Sequence, residues 1–591
     1  MVLGLGAALS IYIAKGKSMR TLVHVTHEAV HQAGGIGTVL RGLITASAYR
    51  EHVQRTVLIG PLGTVPSEPL GSDGTVLYDA HAGIQTVDLA ALLSPIEAKY
   101  DTRLVYGHRQ LNHEGRSVTV EVVLVDTERP PNGLDDFKYH LANEFGIDSR
   151  RYEHEWEYEH YLRLSEPGYA VINALCAGDG DPCHILAHEF MGLGVAYKTI
   201  MVGDPRYKTL FYAHEVATVR PLIEEGVGSD IAFYNTLRRA RDEGRYIEAY
   251  YGDQNAYFKH ALVSQSWRCD AVLAVGDLVV EELCFLAPEF AEKKIDLVYN
   301  GVPAKQLSME EKEAASEGLK NVCSNLLGWP PEWVFTHVTR LVRSKGLWRD
   351  LLVLNHLDTL LAARRQRAVF IVLTSEVGRR SEESVRSMAS EYAWPLVHRE
   401  GGTDLSPGEL EFDLQVRAFN ARSRAVRVLF VNQFGWDRAS CGEWIPEEMH
   451  FELLRQGSDV EFGQSIYEPF GIAQVEPIGF GAVSVVSDVC GCVGFVERSR
   501  PAQSLYDGFI IAPYTKMAAG LPDPAAPVGS EEVEWNEWAQ SRVVAEDLSL
   551  ALVGGKRKRR ARLKNGFATA SAMSWERVTT DWLTPVLERL E

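Results

Sequence analysis

Three observations predict that this chain has an α/β fold with two domains. Its 591 residues are too many for one ordinary hydrophobic core. Short apolar runs with strand character alternate with helical stretches over most of the length. The apolar share of 46% and the charged share of 24% are those of a soluble globular protein. We therefore expect two Rossmann-like domains facing across a cleft, with ligands bound where the strands end.

The elements follow in order from the apolar runs. In the first half, strands are predicted at 21–26, 56–59, 118–125, 184–187, 209–213 and 271–275. In the second half, they are predicted at 333–338, 368–373, 426–431 and 483–487. Asn300-Gly301, followed by Pro303, is typical of a turn, so we place the hinge between the domains there. The segment 571–591 is predicted to be helical, and 518–530 a surface loop.

The order of these predicted elements divides the chain into four segments. Residues 1–18 include an apolar run shorter than the roughly 20 residues that span a bilayer. They also lack a basic start and a clean cleavage site, so we expect an N-terminal arm there or a native start at Met19. An N-terminal domain at 19–300, a C-terminal domain at 301–565 and a C-terminal helix at 566–591 complete the chain.

Charge and cysteine content exclude several function classes. The formal net charge of −19 argues against general nucleic-acid binding. The eight cysteines include no Cys-x-x-Cys pair, which argues against a disulfide framework and a zinc ribbon. Cys490-Gly-Cys492 is interpreted as small core residues in a loop rather than as metal ligands. A reducing cytoplasm, with no membrane partner, fits this composition.

Two carboxylates flank a glycine turn in Glu468-Pro-Phe-Gly-Ile-Ala-Gln-Val-Glu476. A helix advances roughly 100° per residue, so two residues eight steps apart return to nearly the same face. Gly471 would let the backbone N–H groups of a helix beginning near Ile472 approach a diphosphate. Carboxylates are strong acceptors for sugar and ribose hydroxyls. The segment therefore predicts a nucleotide-sugar site.

A second glycine turn, Gly34-Gly35-Ile36-Gly37, follows the first predicted strand. A helix is expected to begin near Thr38. Glycines at such a turn let the backbone approach a phosphate or a sugar. A plain strand-to-helix turn is an equally good interpretation of this motif alone.

Two His-Glu pairs, His188-Glu189 and His214-Glu215, each follow a predicted strand. A histidine at a strand end can donate a hydrogen bond to a sugar hydroxyl, and the alternative is a structural histidine. We assign the first pair to the acceptor side of the cleft. A third metal ligand at a suitable spacing is absent, so no metal site is predicted.

Arg340 and Lys345 follow the predicted strand 333–338. Cations at a strand end can neutralise the charge that builds on a leaving diphosphate. Arginine binds phosphate through two hydrogen bonds, whereas lysine acts as a point charge. In isolation the segment would be interpreted as a solvated basic turn, with Arg343 exposed.

A dense basic run occupies 556–564 of this acidic chain. It is compatible with a solvated helix face, with a nuclear or nucleic-acid patch, or with an anion-binding regulatory site. In the last case the anion ligands would be Arg557, Arg559, Arg560 and Arg562.

On these motifs the chain resembles the glycogen synthases of glycosyltransferase family 3, which have the GT-B fold. The resemblance runs from about Leu22 to the C-terminus, with 61–140 and 376–425 divergent. Its anchors share positions at strand ends and helix starts: Glu28-Ala-Val-His-Gln-Ala-Gly-Gly-Ile-Gly-Thr-Val39, His188-Glu-Phe-Met-Gly192, Tyr212-Ala-His-Glu215, Asp230-Ile-Ala-Phe-Tyr-Asn235, Asn300-Gly301, Arg340 with Lys345, and Tyr467-Glu-Pro-Phe-Gly471 with Glu476.

The resemblance implies retaining transfer of glucose from a nucleotide-glucose donor to the non-reducing end of an α-1,4-glucan. Arg340 and Lys345 would bind the diphosphate, Glu468 the donor glucose and Glu476 the ribose. The N-terminal domain would take the acceptor, and the C-terminal helix would pack back on it. The fold family needs no metal or other cofactor.

Other implied roles concern the glycines and one histidine. Gly471 and Ile472 would give backbone amides to the phosphates. Gly34, Gly35 and Gly37 would line the donor site, with Gly35 near the leaving group. His214 would lie beside the donor sugar. These residue types suit close backbone approach and hydrogen bonding to a sugar.

Three departures from the family pattern are present. Similar enzymes carry lysine where this chain has Gln32, so one cation is missing near the diphosphate. Pro477 follows Glu476, and a proline inside a helix costs about 3 kcal/mol unless it lies in the first turn. The basic run at 556–564 lies where family members under sugar-phosphate control carry an arginine-rich helix, but its residue pattern differs.

Two other function classes stay open. A sugar-nucleotide isomerase of the 2-epimerase type uses the same fold, but it is not expected to combine Arg-x4-Lys with Glu-x7-Glu. A catalytically weak glucan-binding protein is favoured by Gln32 and opposed by Glu468, Glu476, Arg340 and Lys345. A phosphorylase is less favoured, because no lysine environment for pyridoxal phosphate is evident. UDP against ADP, the acceptor length and a homo-oligomeric state are left open.

Overall fold

The computed structural model describes residues 20–31, 34–63, 68–176, 182–501, 508–518 and 529–591. Strands and helices alternate along these ranges. The strands are β1 Thr21–Val25, β2 Arg55–Pro61, β3 Gly74–Tyr78, β4 Leu104–His113, β5 Arg116–Val125, β6 Cys183–His188, β7 Tyr207–Ala213, β8 Ala271–Ala274, β9 Ile295–Leu297, β10 Trp333–Val338, β11 Ala368–Leu373, β12 Val426–Val431, β13 Val460–Gly463, β14 Val483–Ser487 and β15 Phe509–Ala512.

The helices before the second sheet are α1 Ile36–Thr45, α2 Ser47–His52, α3 Val87–Tyr100, α4 Leu134–Phe145, α5 Trp156–Leu162, α6 Ser165–Cys176, α7 Glu189–Val202, α8 Val219–Glu224, α9 Ser229–Glu243, α10 Glu248–Tyr251, α11 Phe258–Val263, α12 Asp277–Leu286, α13 Pro288–Glu292 and α14 Met309–Leu327. The later helices are α15 Leu347–Ala363, α16 Glu382–Tyr392, α17 Pro407–Arg422, α18 Arg438–Cys441, α19 Phe451–Gly457, α20 Ile472–Val475, α21 Cys492–Ser499, α22 Ser530–Leu552, α23 Lys556–Ala572, α24 Trp575–Val578 and α25 Thr584–Arg589.

The strands form two sheets. The first has the order β3-β4-β5-β2-β1-β6-β7-β8-β9, and the second has the order β12-β11-β10-β13-β14-β15. All pairs of the second sheet are parallel. In the first sheet β4 is antiparallel to both β3 and β5, whereas β5, β2, β1, β6 and β7 run parallel. Parallel strands are buried on both faces, which explains their continuous apolar sequences.

Each predicted strand overlaps an observed one, and the predicted α/β class is confirmed. The sequence prediction missed β3, β4, β9, β13 and β15. Strand β4 has the sequence Leu-Val-Tyr-Gly-His-Arg-Gln-Leu-Asn-His, which is polar over its second half. Strands β13 and β15 have only four residues each. Such short or polar segments become strands because neighbouring strands pair with them, not because of their own periodicity.

Contacts between Cα atoms divide the chain into two units. The first unit comprises the described residues up to Tyr212, together with Gln265–Val272 and Leu583–Glu591. The second comprises Ala213–Ser264 and Leu273–Trp582, as far as they are described. Helix α25 therefore belongs to the first unit, where Arg20 forms an ion pair with Glu591. Of the C-terminal helix predicted at 566–591, only the part from Leu583 belongs to the first unit, and the predicted domain boundaries stay a prediction.

A buried charge cluster joins three helices of the second unit. Arg349 of α15 donates to both carboxylate oxygens of Asp230 of α9, at 2.8 and 2.9 Å, and to Glu537 of α22 at 2.7 Å. Its guanidinium lies 4.1 Å from the ring centroid of Tyr514. Burial raises the pKa of Asp230 to about 6, against the opposing attraction of Arg349. The cluster therefore depends on the cation to keep two buried carboxylates compensated.

Removal of this cation tests the cluster. Arg349→Met keeps a long side chain but leaves Asp230 and Glu537 buried without a compensating cation, with only the Trp348 indole N–H still donating to Glu537. We expect the free energy of unfolding to fall by about 3–5 kcal/mol, measured by urea denaturation. The control is Arg542→Met, because Arg542 is exposed on α22 and pairs only with exposed Glu546. Equal losses for the two variants would contradict the role of the cluster.

Candidate functional site

A cation and a carboxylate meet at the carboxyl edge of the second sheet. Lys345 lies in a 3-10 turn, Arg343–Lys345, that follows β10, and Glu468 follows β13. The Lys345 Nζ lies 2.5 Å from the Glu468 Oε2, and both side chains are 12% exposed. Strands β10 and β13 are parallel neighbours, so the segments that follow them emerge side by side. The ion pair is therefore a product of strand order.

Arg340 adds a second cation to this edge. It lies two residues beyond the end of β10 and is exposed. In the described part of the chain it forms no salt bridge, whereas Lys345 is held by Glu468. Arg343 is exposed as predicted. An unpaired guanidinium and an ammonium held by a carboxylate, both following the same strand, suit a ligand with two negative groups.

Glu468 and Glu476 do not lie on one helix, so that expectation is wrong. Glu468 precedes the helix and forms an isolated parallel bridge with Cys490. Helix α20 covers only Ile472–Val475, and Glu476 begins a 3-10 helix that ends at Phe480. The Glu476 Oε2 lies 3.3 Å from the Nε of buried Arg455. The two carboxylates are thus held by separate cations on separate elements.

Pro477 causes no break in a helix. It lies in the first turn of the 3-10 helix Glu476–Phe480, where the missing N–H group has no intrahelical partner to lose. Because Pro477 lies in a first turn, the cost expected for a proline inside a helix does not arise. The proline instead marks the place where α20 ends and a new helical turn begins.

Gly471 immediately precedes the short helix α20. Its φ is +90°, a conformation that favours glycine. A Cβ atom here would lie 2.7 Å from the Gln474 Oε1, and 3.0 Å from both the Cys490 Sγ and the Glu468 Cγ. A side chain here would therefore collide with Gln474 and press on Glu468 and Cys490. The predicted phosphate contacts of the Gly471 and Ile472 amides stay a prediction.

His214 lies one residue beyond β7, in the same unit as Lys345 and Glu468. It is half-buried. Glu215 forms an ion pair with Arg220, which also contacts the hydroxyl of Ser344 at 3.4 Å. The structure therefore links the segment after β7 to the turn that carries Lys345.

Sequence reasoning missed two buried residues of this region, Tyr467 and Glu282. Tyr467 is 1% exposed, and its hydroxyl lies 3.3 Å from the Glu282 Oε2. The Tyr234 hydroxyl donates to the Glu282 Oε1 at 2.8 Å. Burial raises the pKa of Glu282 to about 8. Tyr467 stood beside Glu468 in the motif, whereas no sequence pattern marked Glu282 on α12.

In the first unit, the side chain of Glu28 lies at the N-terminus of α1. Its buried carboxylate accepts from the Gly37 N–H at 2.5 Å. A Cβ atom on Gly34 would lie 2.9 Å from the Glu28 Oε1, whereas one on Gly35 would meet nothing within 4 Å. Helix α1 begins at Ile36, two residues before the predicted start. The glycine turn thus accommodates a carboxylate of its own chain, and its proposed donor contacts stay a prediction.

His188 and Glu189 are both buried, at 0% and 4% exposure. The His188 Nε2 lies 2.9 Å from the His24 Nδ1, and the His24 Nε2 lies 3.0 Å from the Tyr49 hydroxyl. Burial lowers the pKa of His24 to about 3, so the His24 ring is neutral. His188 is therefore tied into the core between β1 and β6. The acceptor-side role of the pair stays a prediction.

The basic run lies on α23, in the second unit. A cavity of about 370 Å³ is lined by Arg559, Arg562, Lys312 and Lys320, among others. Arg560 lines a neighbouring cavity of about 300 Å³. Arg557 is exposed and lines neither cavity.

Gln32, which stands where similar enzymes carry lysine, lies outside the described residues, as do residues 1–19 and 519–528. In the part of the chain that is described, no helix combines the length and apolar character needed to cross a membrane. The described residues also contain no group of three or more His, Cys, Asp or Glu side chains placed to hold a metal ion.

Comparison with known proteins gives structural but not sequence matches. No family model matches the chain, and no curated protein matches it. The catalytic domain of starch synthase IV from Arabidopsis thaliana, solved with ADP and acarbose, is similar with a TM-score of 0.52 and 14% identity, over 97% of this chain and 99% of that one. The chain has the GT-B fold.

Two further solved structures are similar at lower scores. One is an α,α-trehalose-phosphate synthase (UDP-forming) from Burkholderia xenovorans, with a TM-score of 0.49, 12% identity and coverage of 97% and 99%. The other is a sucrose-phosphate synthase from Thermosynechococcus elongatus, with a TM-score of 0.48, 13% identity and coverage of 97% and 99%. None of these three is a glycogen synthase.

The buried acid Glu282 predicts a pH-dependent stability. Its pKa is about 8 in the folded chain against an ordinary 4.5, so the folded state holds a proton that the unfolded state has lost between those values. Stability from this group is therefore full below about pH 4.5 and is lost as the pH rises through about 8. Glu282→Gln is uncharged at every pH, so we expect its unfolding free energy to fall less than that of the wild type over this range.

The measurement is urea denaturation at a series of pH values. The control is Glu281→Gln, since Glu281 is a partly exposed neighbour on α12 that pairs with Arg241. Its pH dependence should follow the wild type. A wild-type chain whose loss of stability between about pH 4.5 and 8 is equal to that of Glu282→Gln would show that this acid is not protonated in the fold.

Proposed function

We propose that this chain is a retaining glucosyltransferase that adds glucose from a nucleotide-glucose to the non-reducing end of an α-1,4-glucan. The observation that carries the proposal is the Lys345–Glu468 pair beside exposed Arg340, at the carboxyl edge of a parallel sheet in a chain with the GT-B fold. Ligands of open parallel sheets bind at that edge.

The cations act on the leaving group. When the bond between glucose C1 and the diphosphate breaks, negative charge develops on the phosphate oxygens. Arg340 binds these oxygens through two hydrogen bonds, and Lys345 supplies a point charge. Glu468 holds the ammonium 2.5 Å away before the donor arrives, so its position is set in advance. Charge stabilisation by preoriented groups is a large term in transfer reactions.

The carboxylates hold the donor's hydroxyls. Glu468 accepts hydrogen bonds from glucose and Glu476 from the ribose. The Arg455 side chain is 1% exposed, and its ion pair with Glu476 holds that carboxylate in place. The loop at Gly471 and Ile472 offers backbone amides to the phosphates, and His214 lies beside the sugar.

Retention follows if the acceptor attacks from the side on which the diphosphate leaves. The bond from C1 to the diphosphate oxygen breaks, and a bond from C1 to the acceptor hydroxyl oxygen forms on the same face. The hydroxyl proton passes to the departing phosphate oxygen. As proposed, this step uses no protein base, no metal and no other cofactor, and the partners are the donor and the glucan alone in a cytoplasmic setting.

Two other functions compete with this proposal. A sugar-nucleotide 2-epimerase would convert the donor without an acceptor. A glucan-binding protein would bind the polymer without transfer. The paired cations favour transfer over the glucan-binding protein, because a neutral glucan has no diphosphate for them to stabilise. The combination of Arg-x4-Lys with Glu-x7-Glu favours transfer over the epimerase. UDP and ADP donors are distinguished only by assay.

A second proposal concerns regulation by an anion. The cavity at Arg559 and Arg562 also contains Lys312, whose Nζ donates to the carbonyls of Gln456 and Ser458 at 2.6 and 2.7 Å. Burial lowers the pKa of Lys312 to about 8. A cluster of cations around a cavity suits a sugar phosphate. We propose that such an anion binds here and alters the transfer rate.

Transfer of radiolabelled glucose from UDP-glucose and ADP-glucose to glycogen tests the main proposal. We expect incorporation into the polymer with one of the two donors. Glu468→Gln and Arg340→Ala should each lower kcat/KM at least about 100-fold, because each removes a charge that acts on the donor. Arg343→Ala is the matched control, as an exposed arginine on the same turn, and should stay within about threefold of the wild type.

Other outcomes identify the alternatives. Donor turnover without acceptor, followed by NMR, would favour the epimerase. Binding of glycogen without incorporation from either donor would favour the glucan-binding protein. Wild-type transfer activity in Glu468→Gln would contradict the assignment of Glu468 to the donor site.

Titration with glucose 6-phosphate tests the regulatory proposal. We expect it to change the transfer rate in the wild type, and Arg559→Ala to raise the half-maximal concentration about tenfold, as the loss of one charge-assisted hydrogen bond predicts. Arg557→Ala lies on the same helix but outside the cavity, and its titration should match the wild type. A flat wild-type titration would refute the proposal.

A further inference from the structure

A single buried tyrosine connects three segments that carry candidate donor groups. The Tyr467 hydroxyl accepts from the Val216 N–H at 3.0 Å. Val216 is two residues beyond His214, in the segment that follows β7. Tyr467 itself directly precedes Glu468. The aromatic ring therefore sets the distance between the segment of His214 and the segment of Glu468.

The backbone of the same residue holds the cation turn. The N–H groups of Ile466 and Tyr467 donate to the Ser344 carbonyl at 2.8 and 3.3 Å. Ser344 directly precedes Lys345. The guanidinium of Arg220 lies 5.0 Å from the Tyr467 ring centroid and contacts the Ser344 hydroxyl at 3.4 Å. Tyr467 is thus bonded at one end to the turn of Lys345 and at the other to the segment of His214.

We propose that Tyr467 is a positioning residue for glucosyl transfer: its hydroxyl fixes the segment of His214 against the Lys345–Glu468 pair. The inference rests on the proposed function and deepens it. Tyr467 does not touch the reacting atoms. It acts through the backbone of Val216, because a rigid ring with a bonded hydroxyl leaves that segment little freedom to shift. Misplacement of a group by about 1 Å can cost about 100-fold in rate.

Glu282 holds the hydroxyl from the other side. Its Oε2 lies 3.3 Å from the Tyr467 hydroxyl, and its Oε1 accepts from Tyr234 at 2.8 Å. Tyr234 and Tyr467 are each 1% exposed. Both tyrosines therefore share one buried acid, but only Tyr467 bonds the Val216 N–H and neighbours Glu468. Tyr234 offers a control that loses the same contact to Glu282 and leaves the connection to Val216 in place.

The experiment compares Tyr467→Phe with Tyr234→Phe in the full chain. Each variant loses one buried hydroxyl that contacts Glu282. Tyr467→Phe keeps the aromatic ring that packs against the Arg220 guanidinium. We expect Tyr467→Phe to lower kcat at least about tenfold, with KM for the donor within about threefold. Tyr234→Phe should keep kcat within about twofold. Calorimetric titration with the nucleotide product should give full stoichiometry for both variants, which counts the folded sites.

Hydrogen exchange of the Val216 amide gives a readout that does not depend on catalysis. Exchange should become faster in Tyr467→Phe and stay at the wild-type rate in Tyr234→Phe. Equal losses of kcat in both variants, or a loss explained by reduced stoichiometry, would show a structural role only and overturn the inference. Unchanged kcat in Tyr467→Phe beside an active wild type would overturn it while the proposed function stands. A wild type that transfers glucose from neither donor would overturn both.

Discussion

The parallel pairing of β10 with β13 is the constraint on which the candidate site depends. It places two loops, distant in sequence, at the same edge of one sheet, with Phe335 opposite Val460. One loop then presents the ammonium of Lys345 and the other the carboxylate of Glu468. Neither loop has an element of regular structure long enough to fix these side chains alone. Their 2.5 Å contact exists because the strands below them are locked in register.

Buried ion pairs, in addition to apolar packing, fix the elements that lie below this edge of the sheet. Arg455, at 1% side-chain exposure, lies between Glu461 and Glu476. Arg349, at 0%, holds three helices through two carboxylates. Buried ions are costly unless they are paired, so each such cluster fixes the relative position of the elements that supply it. A site that must orient a charged donor benefits from this rigidity.

Much of the fold was predictable, and the reasons are local. Strands β10, β11, β12 and β14 are apolar runs bounded by polar residues, and their predicted and observed limits agree. Prediction from the sequence fails for β4, whose polar half pairs with β5, and for the four-residue strands β13 and β15. The prediction that Glu468 and Glu476 share one helix face is also wrong. It extends helical periodicity across Gly471, whose φ of +90° precludes a continuous helix. The contacts from His188 through His24 to Tyr49 are marked by no sequence pattern, since they depend on burial.

The amino-acid sequence is enough to predict the α/β class, the succession of most strands, and the residue types that can serve a nucleotide-sugar site. These follow from local apolar patterns and from the chemistry of single side chains. Which of those side chains meet is visible only in the folded chain: Lys345 with Glu468, Glu476 with Arg455, Glu28 with the Gly37 amide, and Tyr467 with Val216 and Glu282. Such contacts depend on strand order, register and burial, which residues far apart in the chain fix jointly.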